Sequence, residues 1–347
     1  MKYFVINVLI LTVLLSSCTK DHFSTYQNPI DSNDVVISIL PCSLTVVDYQ
    51  KHDTFPDIDL YNGCFEVFYE WQEDFTFESV LCSPNNNDEI VFLKKKVNGG
   101  WHESELYHFN LCSGEGNCIA VGGRLMDWNI DDWLLLIQPD QNIYKIKTDG
   151  TGLQQLTFDG DYNNQPRWNP DGARFVYTKV SNGKGYFIIA DENGVALDTL
   201  ENVNNNSLPL IHQWPIKNKI LITSDVNGKF QIAFFDIDKK NHEMVANWLP
   251  HTPVVEQARL NSSTNELFWN FHYGKIYYSK EGTLESDSII SYKNNKWIPD
   301  FDLSYDNKKI FFVRHDFEEI VWCRQKAWSK LFVCDIDGSN IMRLDLP

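Results

Sequence analysis

Histidines and carboxylates are the side chains of this sequence that could carry out chemistry. Nine histidines are spread along 347 residues. Pairs such as His102 with His108, or His251 with His272, would act as metal ligands only if folding brought them together. The 47 Asp and Glu residues could supply a carboxylate pair for cleaving glycosidic bonds. No G-x-S-x-G, H-E-x-x-H or P-loop motif is present, so no residue is predicted to be catalytic.

A repeated strand pattern must position any such side chains. The clearest unit spans residues 142–157 and continues over residues 165–177. The first half alternates apolar and polar residues around an Asp149-Gly150 turn, and the second half turns at residues 169–172, Asn-Pro-Asp-Gly. Each half therefore predicts a pair of antiparallel strands.

Both halves of this unit recur along the chain. The second, inner half has five degenerate copies, at residues 78–93, 125–135, 207–224, 257–269 and 300–312. The first, outer half recurs at residues 105–109, 185–190, 230–236, 275–278 and 330–344. The copies are spaced by about 40 to 45 residues, as expected for four-stranded blades.

The clear unit resembles the repeat of TolB-like propellers. The resemblance lies in Ile143-Tyr144, Asp149-Gly150 and Leu156-Thr157, and in Pro166, Trp168 and Pro170-Asp171-Gly172. It implies an all-β fold, a six-bladed β-propeller of four-stranded antiparallel blades. Residues 330–344 repeat the outer half with no inner strands after them, so we expect residues 78–93 to complete that blade. N- and C-terminal strands would then share one blade and close the ring. An open β-solenoid and two unrelated β domains are the alternatives.

One column of the aligned inner copies varies in charge while its neighbours stay apolar. In the resembled family the inner strands surround a central channel, so we expect seven polar residues near its mouth, where they could bind a ligand. They are Asp127, Gln165, Arg167, Gln257, Arg259, Asp300 and Asp302. The alternative is that these side chains make ordinary hydrogen bonds or ion pairs between blades.

The N-terminus predicts export and a lipid anchor. Lys2 is followed by an apolar run that ends at Leu15, too short to span a membrane comfortably. Residues 15–18, Leu-Ser-Ser-Cys, resemble the bacterial lipobox, in which Cys18 is lipidated; an ordinary signal peptide with a chance cysteine is the alternative. Acyl chains such as palmitate would hold the protein on a membrane. Thr19 favours the outer membrane by the same resemblance, facing either the periplasm or the cell surface.

The expected organisation follows from these patterns. Residues 1–17 form the signal peptide, 18–33 a flexible tether, 34–75 an N-terminal cap or plug, and 76–347 the propeller. Eight cysteines are present, and Cys112 with Cys118, which enclose a glycine-rich turn, are the first expected disulfide. Cys42 with Cys64 and Cys323 with Cys334 are further pairs, although several cysteines could simply be buried.

Charge and resemblance together indicate the class of function. A formal charge of -17 repels nucleic acid, and no cofactor or metal site is predicted. The family resemblance implies an envelope-associated interaction. The preferred prediction is a membrane-anchored, non-catalytic propeller that binds a protein, peptide or glycan in the bacterial cell envelope. The alternative is a propeller enzyme, a polysaccharide lyase or glycoside hydrolase with its site at the channel mouth.

Overall fold

The computed structural model describes most of the chain after residue 67. The described residues are 36–37, 68–158, 162–181, 184–201, 210–226, 229–246, 255–271, 274–280, 287–292, 296–321, 324–344 and 346. The predicted signal peptide, Cys18 and tether lie outside them, as do residues 38–67 of the predicted cap. No helix within the described ranges is long and apolar enough to cross a membrane.

The strands fall into six consecutive groups of four, here called blades 1 to 6. Before them come β1 (Val36–Ile37) and β2 (Phe68–Trp71). Blade 1 contains β3 (Phe75–Cys82), β4 (Glu89–Lys96), β5 (Ser104–Asn110) and β6 (Glu115–Val121), with a short 3-10 helix at Trp101–Glu103. Blade 2 contains β7 (Arg124–Trp128), β8 (Trp133–Ile137), β9 (Ile143–Lys147) and β10 (Gln154–Gln155). Blade 3 contains β11 (Tyr162–Trp168), β12 (Arg174–Ser181), β13 (Lys184–Asp191) and β14 (Ala196–Glu201).

The second half of the chain continues the series. Blade 4 contains β15 (Leu210–Ile216), β16 (Lys219–Val226), β17 (Lys229–Asp236) and β18 (Asn241–Ala246). Blade 5 contains β19 (Gln257–Asn261), β20 (Glu266–Phe271), β21 (Lys275–Ser279) and β22 (Asp287–Ser291). After β23 (Lys296–Trp297), blade 6 contains β24 (Phe301–Leu303), β25 (Lys309–Val321), β26 (Arg324–Asp335) and β27 (Met342–Leu344).

The first strands of the six blades form a closed ring. Each blade is antiparallel and runs from its first to its fourth strand outward. Strand β3 contacts β7, and the contacts continue through β11, β15, β19 and β24 back to β3. The predicted all-β, six-bladed propeller is thereby confirmed.

Strand alternation explains how the blades pack face to face. Successive side chains of a strand point to opposite faces of its sheet. In β12, Phe175 and Tyr177 pack with Leu135 of blade 2, whereas Val176 between them packs with Ile222 of blade 4. The middle strands are therefore buried on both faces, which accounts for their nearly unbroken apolar runs. Burying each large apolar side chain contributes roughly 1.5–3 kcal/mol.

N- and C-terminal strands share one sheet, as predicted, but the predicted pairing within it is wrong. Residues 330–344 belong to β26 and β27 and are completed by β24 and β25, while residues 78–93 form blade 1 with β5 and β6. The reason is local connectivity, because β25 and β26 are joined directly as an antiparallel hairpin. The N-terminal contribution comes instead from β1, which pairs in parallel with β27.

The hairpin of β25 and β26 extends beyond blade 6. Its far half pairs with β23 on one side and in parallel with β2 on the other. In this extension the buried His315 ring makes edge contacts with Trp71 and Trp297, at centroid distances of 5.2 and 5.3 Å. The repeat pattern did not predict this extension, and a cap or plug role for residues 34–75 stays a prediction.

Candidate functional site

Irregularities in the inner strands bring polar side chains from several blades to the centre of the ring. Register shifts interrupt β7 before Asp127, β11 before Arg167 and β15 before Gln213. Such bulges re-aim the side chains beside them. In the bulge of β11, Gln165 has a left-handed backbone with φ of 53°.

Side-chain acceptors of blades 2, 4 and 6 bind the backbone of the next blade. The Trp168 N–H donates to Asp127 Oδ2 (2.7 Å), and the Leu260 N–H donates to Gln213 Oε1 (2.9 Å). The Cys82 N–H likewise donates to Asp302 Oδ2 (2.9 Å). These bonds link blade 2 to 3, blade 4 to 5, and blade 6 to 1.

Two arginines occupy the same column in blades 3 and 5. Arg167 donates through Nε to the carbonyl oxygen of His212 (2.6 Å) and through Nη1 to that of Met126 (2.7 Å). Arg259 donates through Nε to Asp302 Oδ1 (2.7 Å) and through Nη1 to the same His212 oxygen (3.0 Å). Both guanidinium groups therefore meet at one carbonyl in blade 4. The buried Nη2 of Arg259 has no hydrogen-bond partner among the described residues.

The other three predicted residues lie on the same inner strands or beside them. The Val80 N–H donates to Asp300 Oδ2 (3.1 Å), a second bond across the closure between blades 6 and 1. The Ile211 N–H donates to Gln165 Oε1 (3.0 Å). Gln257 is buried at the start of β19, where its backbone N–H donates to Asn270 Oδ1 (2.9 Å). We call Asp127, Arg167, Gln213, Arg259, Asp300 and Asp302 the axial cluster.

Exposure divides the axial cluster by charge. Arg167 and Arg259 are each 4% exposed, whereas Asp127, Asp300 and Asp302 are only partly buried. The three aspartates of the cluster are therefore less deeply buried than the two arginines.

Burial dominates the electrostatics of the cluster. It raises the pKa of Asp300 to about 7, although Arg259 and the Val80 N–H act to lower it. Burial, followed by repulsion from Arg259, lowers the pKa of Arg167 to about 10. Since an isolated charge is costly in such a place, each charged side chain here lies beside one of opposite sign.

The sequence did not indicate two polar residues of this region, Gln213 in the cluster and Glu256 beside it. Gln213 occupies the aligned column, but length changes in its copy hide it. Glu256, next to Gln257, accepts a hydrogen bond from the Trp297 indole (3.2 Å), and burial raises its pKa to about 7. Only its position beside a predicted residue could have indicated it.

The histidine at the centre is engaged within the fold. His212 Nε2 lies 2.7 Å from Thr223 Oγ1, and burial followed by the two arginines lowers its pKa well below the usual value. The imidazole is therefore neutral at pH 7. Across the part of the chain that the structure describes, no group of three or more His, Cys, Asp or Glu is arranged to hold a metal ion.

The expected cysteine pairing needs correction. Cys118 is disulfide-bonded, but Cys112 is not the cysteine that it bonds. The reason is register: Cys118 lies opposite Tyr107 in the hairpin, whereas Cys112 lies in the turn that joins the two strands. Cys334 is a buried free thiol, so it does not pair with Cys323, and Cys82 is another. Burial raises the pKa of both thiols.

The closed ring of four-stranded blades defines the chain as a six-bladed β-propeller. It is similar to a putative TolB from Agrobacterium tumefaciens, at 15% identity and a TM-score of 0.55, over 69% of this chain and 87% of that one. It is also similar to TolB from Acinetobacter baumannii, at 13% identity and a TM-score of 0.53, over 77% of this chain and 62% of that one. No protein-family model and no curated protein matches. The chain thus has the TolB-like propeller fold that its repeat predicted.

Proposed function

We propose that this chain is a lipid-anchored propeller of the bacterial cell envelope that binds a protein partner without catalysis. A free peptide or a glycan is a further ligand class for the same site. The envelope role is the one that the resemblance to TolB-like propellers implies. The fold alone does not identify a ligand, so the proposal depends on the centre of the ring.

The observation that carries the proposal is the convergence of charged side chains from four blades at the ring's centre. The partly buried residues Asp127 and Asp302 lie there, and the carboxylate of each binds the backbone of the next blade. Their positions are thus fixed before any partner arrives, which reduces the entropy lost on binding. A concave, rigid site with a few convergent polar groups is the usual form of a binding site.

The anchor rests on the sequence of the N-terminus. Acyl chains on Cys18, at about 0.8 kcal/mol for each buried methylene, would hold the protein on a membrane. Residues 18–33 would then tether the ring close to the bilayer, in the outer membrane by the resemblance at Thr19. Cys18→Ala should move the protein from the membrane to the soluble fraction, and unchanged fractionation would refute the anchor.

Reversible cross-linking in intact cells, followed by purification, tests the binding function. Asp127→Asn keeps an amide oxygen that can accept the Trp168 N–H but removes a charge. We expect wild type to recover a defined protein that this variant recovers at least about fivefold less. Asp149→Asn, in an exposed outer turn, is the control and should match wild type. Two results would contradict the proposal: recovery of only lipid and sorting machinery, or equal recovery of the partner by wild type and the charge-removing variant.

One observation favours the enzyme alternative. Glu256 and Asp300 lie close enough for Asp300 to raise the pKa of Glu256, and each carboxyl has a pKa of about 7. Such groups can exchange protons at neutral pH. Polysaccharide cleavage by wild type, abolished in Glu256→Gln, would establish this alternative. Cleavage that persists in the variant would exclude Glu256 as its acid.

A further inference from the structure

The turns between the first and second strands carry exposed apolar residues at one end of the ring. We call four of these residues, from four blades, the turn crown: Ile130, Pro170, Ile216 at the end of β15, and Tyr305. Ile130 is 47% exposed, Ile216 is 37% exposed and Tyr305 is 55% exposed.

Hydrogen bonds link neighbouring turns at this end of the ring. The Asp306 N–H in blade 6 donates to Asn87 Oδ1 in blade 1 (3.0 Å). Asn85 Nδ2 in blade 1 donates to the carbonyl oxygen of Ile130 in blade 2 (3.0 Å). Asn129 Nδ2 in blade 2 donates to the Gly172 carbonyl oxygen in blade 3 (3.5 Å).

A cation–π contact links the turns of blades 3 and 4. The Arg174 guanidinium, directly after the blade 3 turn, lies over the Trp214 ring of blade 4 at 5.9 Å, two residues before Ile216. Five of the six turns are thereby held in fixed positions relative to one another.

The turn geometry does not require these apolar side chains. Asn129 Oδ1 accepts the N–H groups of Asp131 and Trp133, which closes the turn of blade 2. In blade 6, Ser304 closes the turn by accepting the Lys309 N–H, and Asp306 accepts that of Lys308. Ile130 and Tyr305 take no part in these bonds, although their exposure to water is unfavourable. Apolar patches rimmed by polar residues mark interaction surfaces.

The charges between the crown residues are mainly negative. The same turns hold five aspartates and two lysines: Asp88, Asp131, Asp132, Asp171 and Asp306 against Lys217 and Lys308. A second copy of this chain, itself at a net charge of -17, would be repelled by this surface. Anionic lipid would be repelled in the same way.

We propose that the turn crown binds a protein segment with apolar side chains flanked by lysine or arginine. The proposal rests on the protein-binding function above and adds the face of the ring and the chemistry of the partner. Tyr305 is the expected anchor, because aromatic residues dominate the binding energy of protein interfaces. The basic flanks pair with the exposed aspartates and increase the rate of association.

Selection from a displayed library of random twelve-residue peptides, on the full-length protein in detergent, tests this inference. We expect the enriched peptides to combine aromatic or branched aliphatic residues with lysine or arginine. Ile130→Asp and Tyr305→Asp should each weaken their binding by about tenfold or more. Both positions are exposed, so the fold should tolerate either change. Leu153→Asp and Leu197→Asp, exposed apolar positions on the outer rim, are matched controls that should stay within about twofold.

Three outcomes would overturn the inference. Peptides that bind equally to the crown variants, but lose affinity for a rim or axial variant, would place the site elsewhere and leave the protein-binding function intact. Self-association of wild type, or its binding to phosphatidylglycerol vesicles, that Ile130→Asp abolishes would assign the crown to a different partner. Failure to enrich any peptide would count against both the crown and the protein-binding function.

Discussion

Arg259 shows how single residues hold the ring together. Its side chain joins blade 5 to Asp302 in blade 6 and to the His212 carbonyl in blade 4. Truncation would leave the Asp302 carboxylate without its cationic partner, and the His212 carbonyl oxygen would keep only Arg167 as its donor. Losing one partner of a buried ion pair costs much more than the pair itself contributes.

Arg259→Ala should therefore lower the free energy of unfolding by about 3–5 kcal/mol. Urea denaturation followed by tryptophan fluorescence measures this change. Lys308→Ala, which removes a side chain that is 78% exposed, is the control and should change stability by less than about 0.5 kcal/mol. Similar values for the two variants would mean that the axial cluster does not stabilise the ring.

The environment of Asp300 predicts that the stability of the folded protein depends on pH. Its pKa of about 7 in the folded protein lies above the ordinary value of 3.8, chiefly because of burial. Arg259, Arg167 and Asp302 also face it. The folded state thus binds this proton more tightly, and the stability that the protonated form contributes is lost as pH rises through about 7.

Asp300→Asn cannot ionise, so its stability relative to wild type should increase from about pH 4 to pH 7 and stay constant above about pH 8. Thermal unfolding across this range measures the difference. Asp306→Asn is the control: burial opposes the shift, but the Ser304 hydroxyl and the Lys308 N–H lower the pKa of Asp306. Its difference from wild type should therefore be flat above about pH 4. A flat Asp300→Asn difference would show that this carboxyl is charged throughout.

At the scale of elements, the turns between the third and fourth strands of three blades contact the backbone of the preceding blade. Gly150, Gly194 and Gly338 all have positive φ. A Cβ on Gly338 would lie 2.2 Å from the carbonyl oxygen of Ile289 in blade 5, and one on Gly194 would lie 2.1 Å from that of Leu156 in blade 2. The glycine therefore serves both the turn and the contact between blades.

Gly338→Ala should destabilise the protein by more than about 2 kcal/mol, because a left-handed backbone and a backbone clash add together. Gly114→Ala isolates the first effect, since its φ is +70° and no atom lies within 4 Å of the added Cβ. That control should cost only about 1–2 kcal/mol. Both values come from urea denaturation, and equal losses would show that the packed turn is free to move.

The sequence predicted strands and turns well but predicted strand partners less well. The Asp-Gly and Asn-Pro-Asp-Gly signals lie within the elements themselves, so each copy located its own hairpin. The predicted pairing at the ring closure was wrong because the sequence of an outer half does not say which inner half it joins. Residues 330–344 match an outer half equally well whether the inner half before them or the first one of the chain completes the blade. The extension of β25 and β26 could not be inferred, because β2 pairs with it from more than 250 residues away.

At the scale of the whole molecule, the sequence predicted part of the candidate site. Aligned copies must project equivalent residues toward one axis, so six of the seven predicted residues make side-chain bonds to a neighbouring blade. Their role as binding residues stays a prediction. Glu256 and the crown residues were not predicted, since burial and exposure at the ends of the ring arise only when all six blades are assembled.

We propose that the ring binds a protein through the face that carries the turn crown. A photo-cross-linking amino acid in place of Tyr305, compared in living cells with one in place of Leu197 on the rim, tests it most directly. We expect one defined protein adduct from position 305, none from position 197, and loss of the adduct when Ile130→Asp is added. Adducts from position 197 alone, or an adduct at 305 that Ile130→Asp leaves unchanged, would contradict the claim.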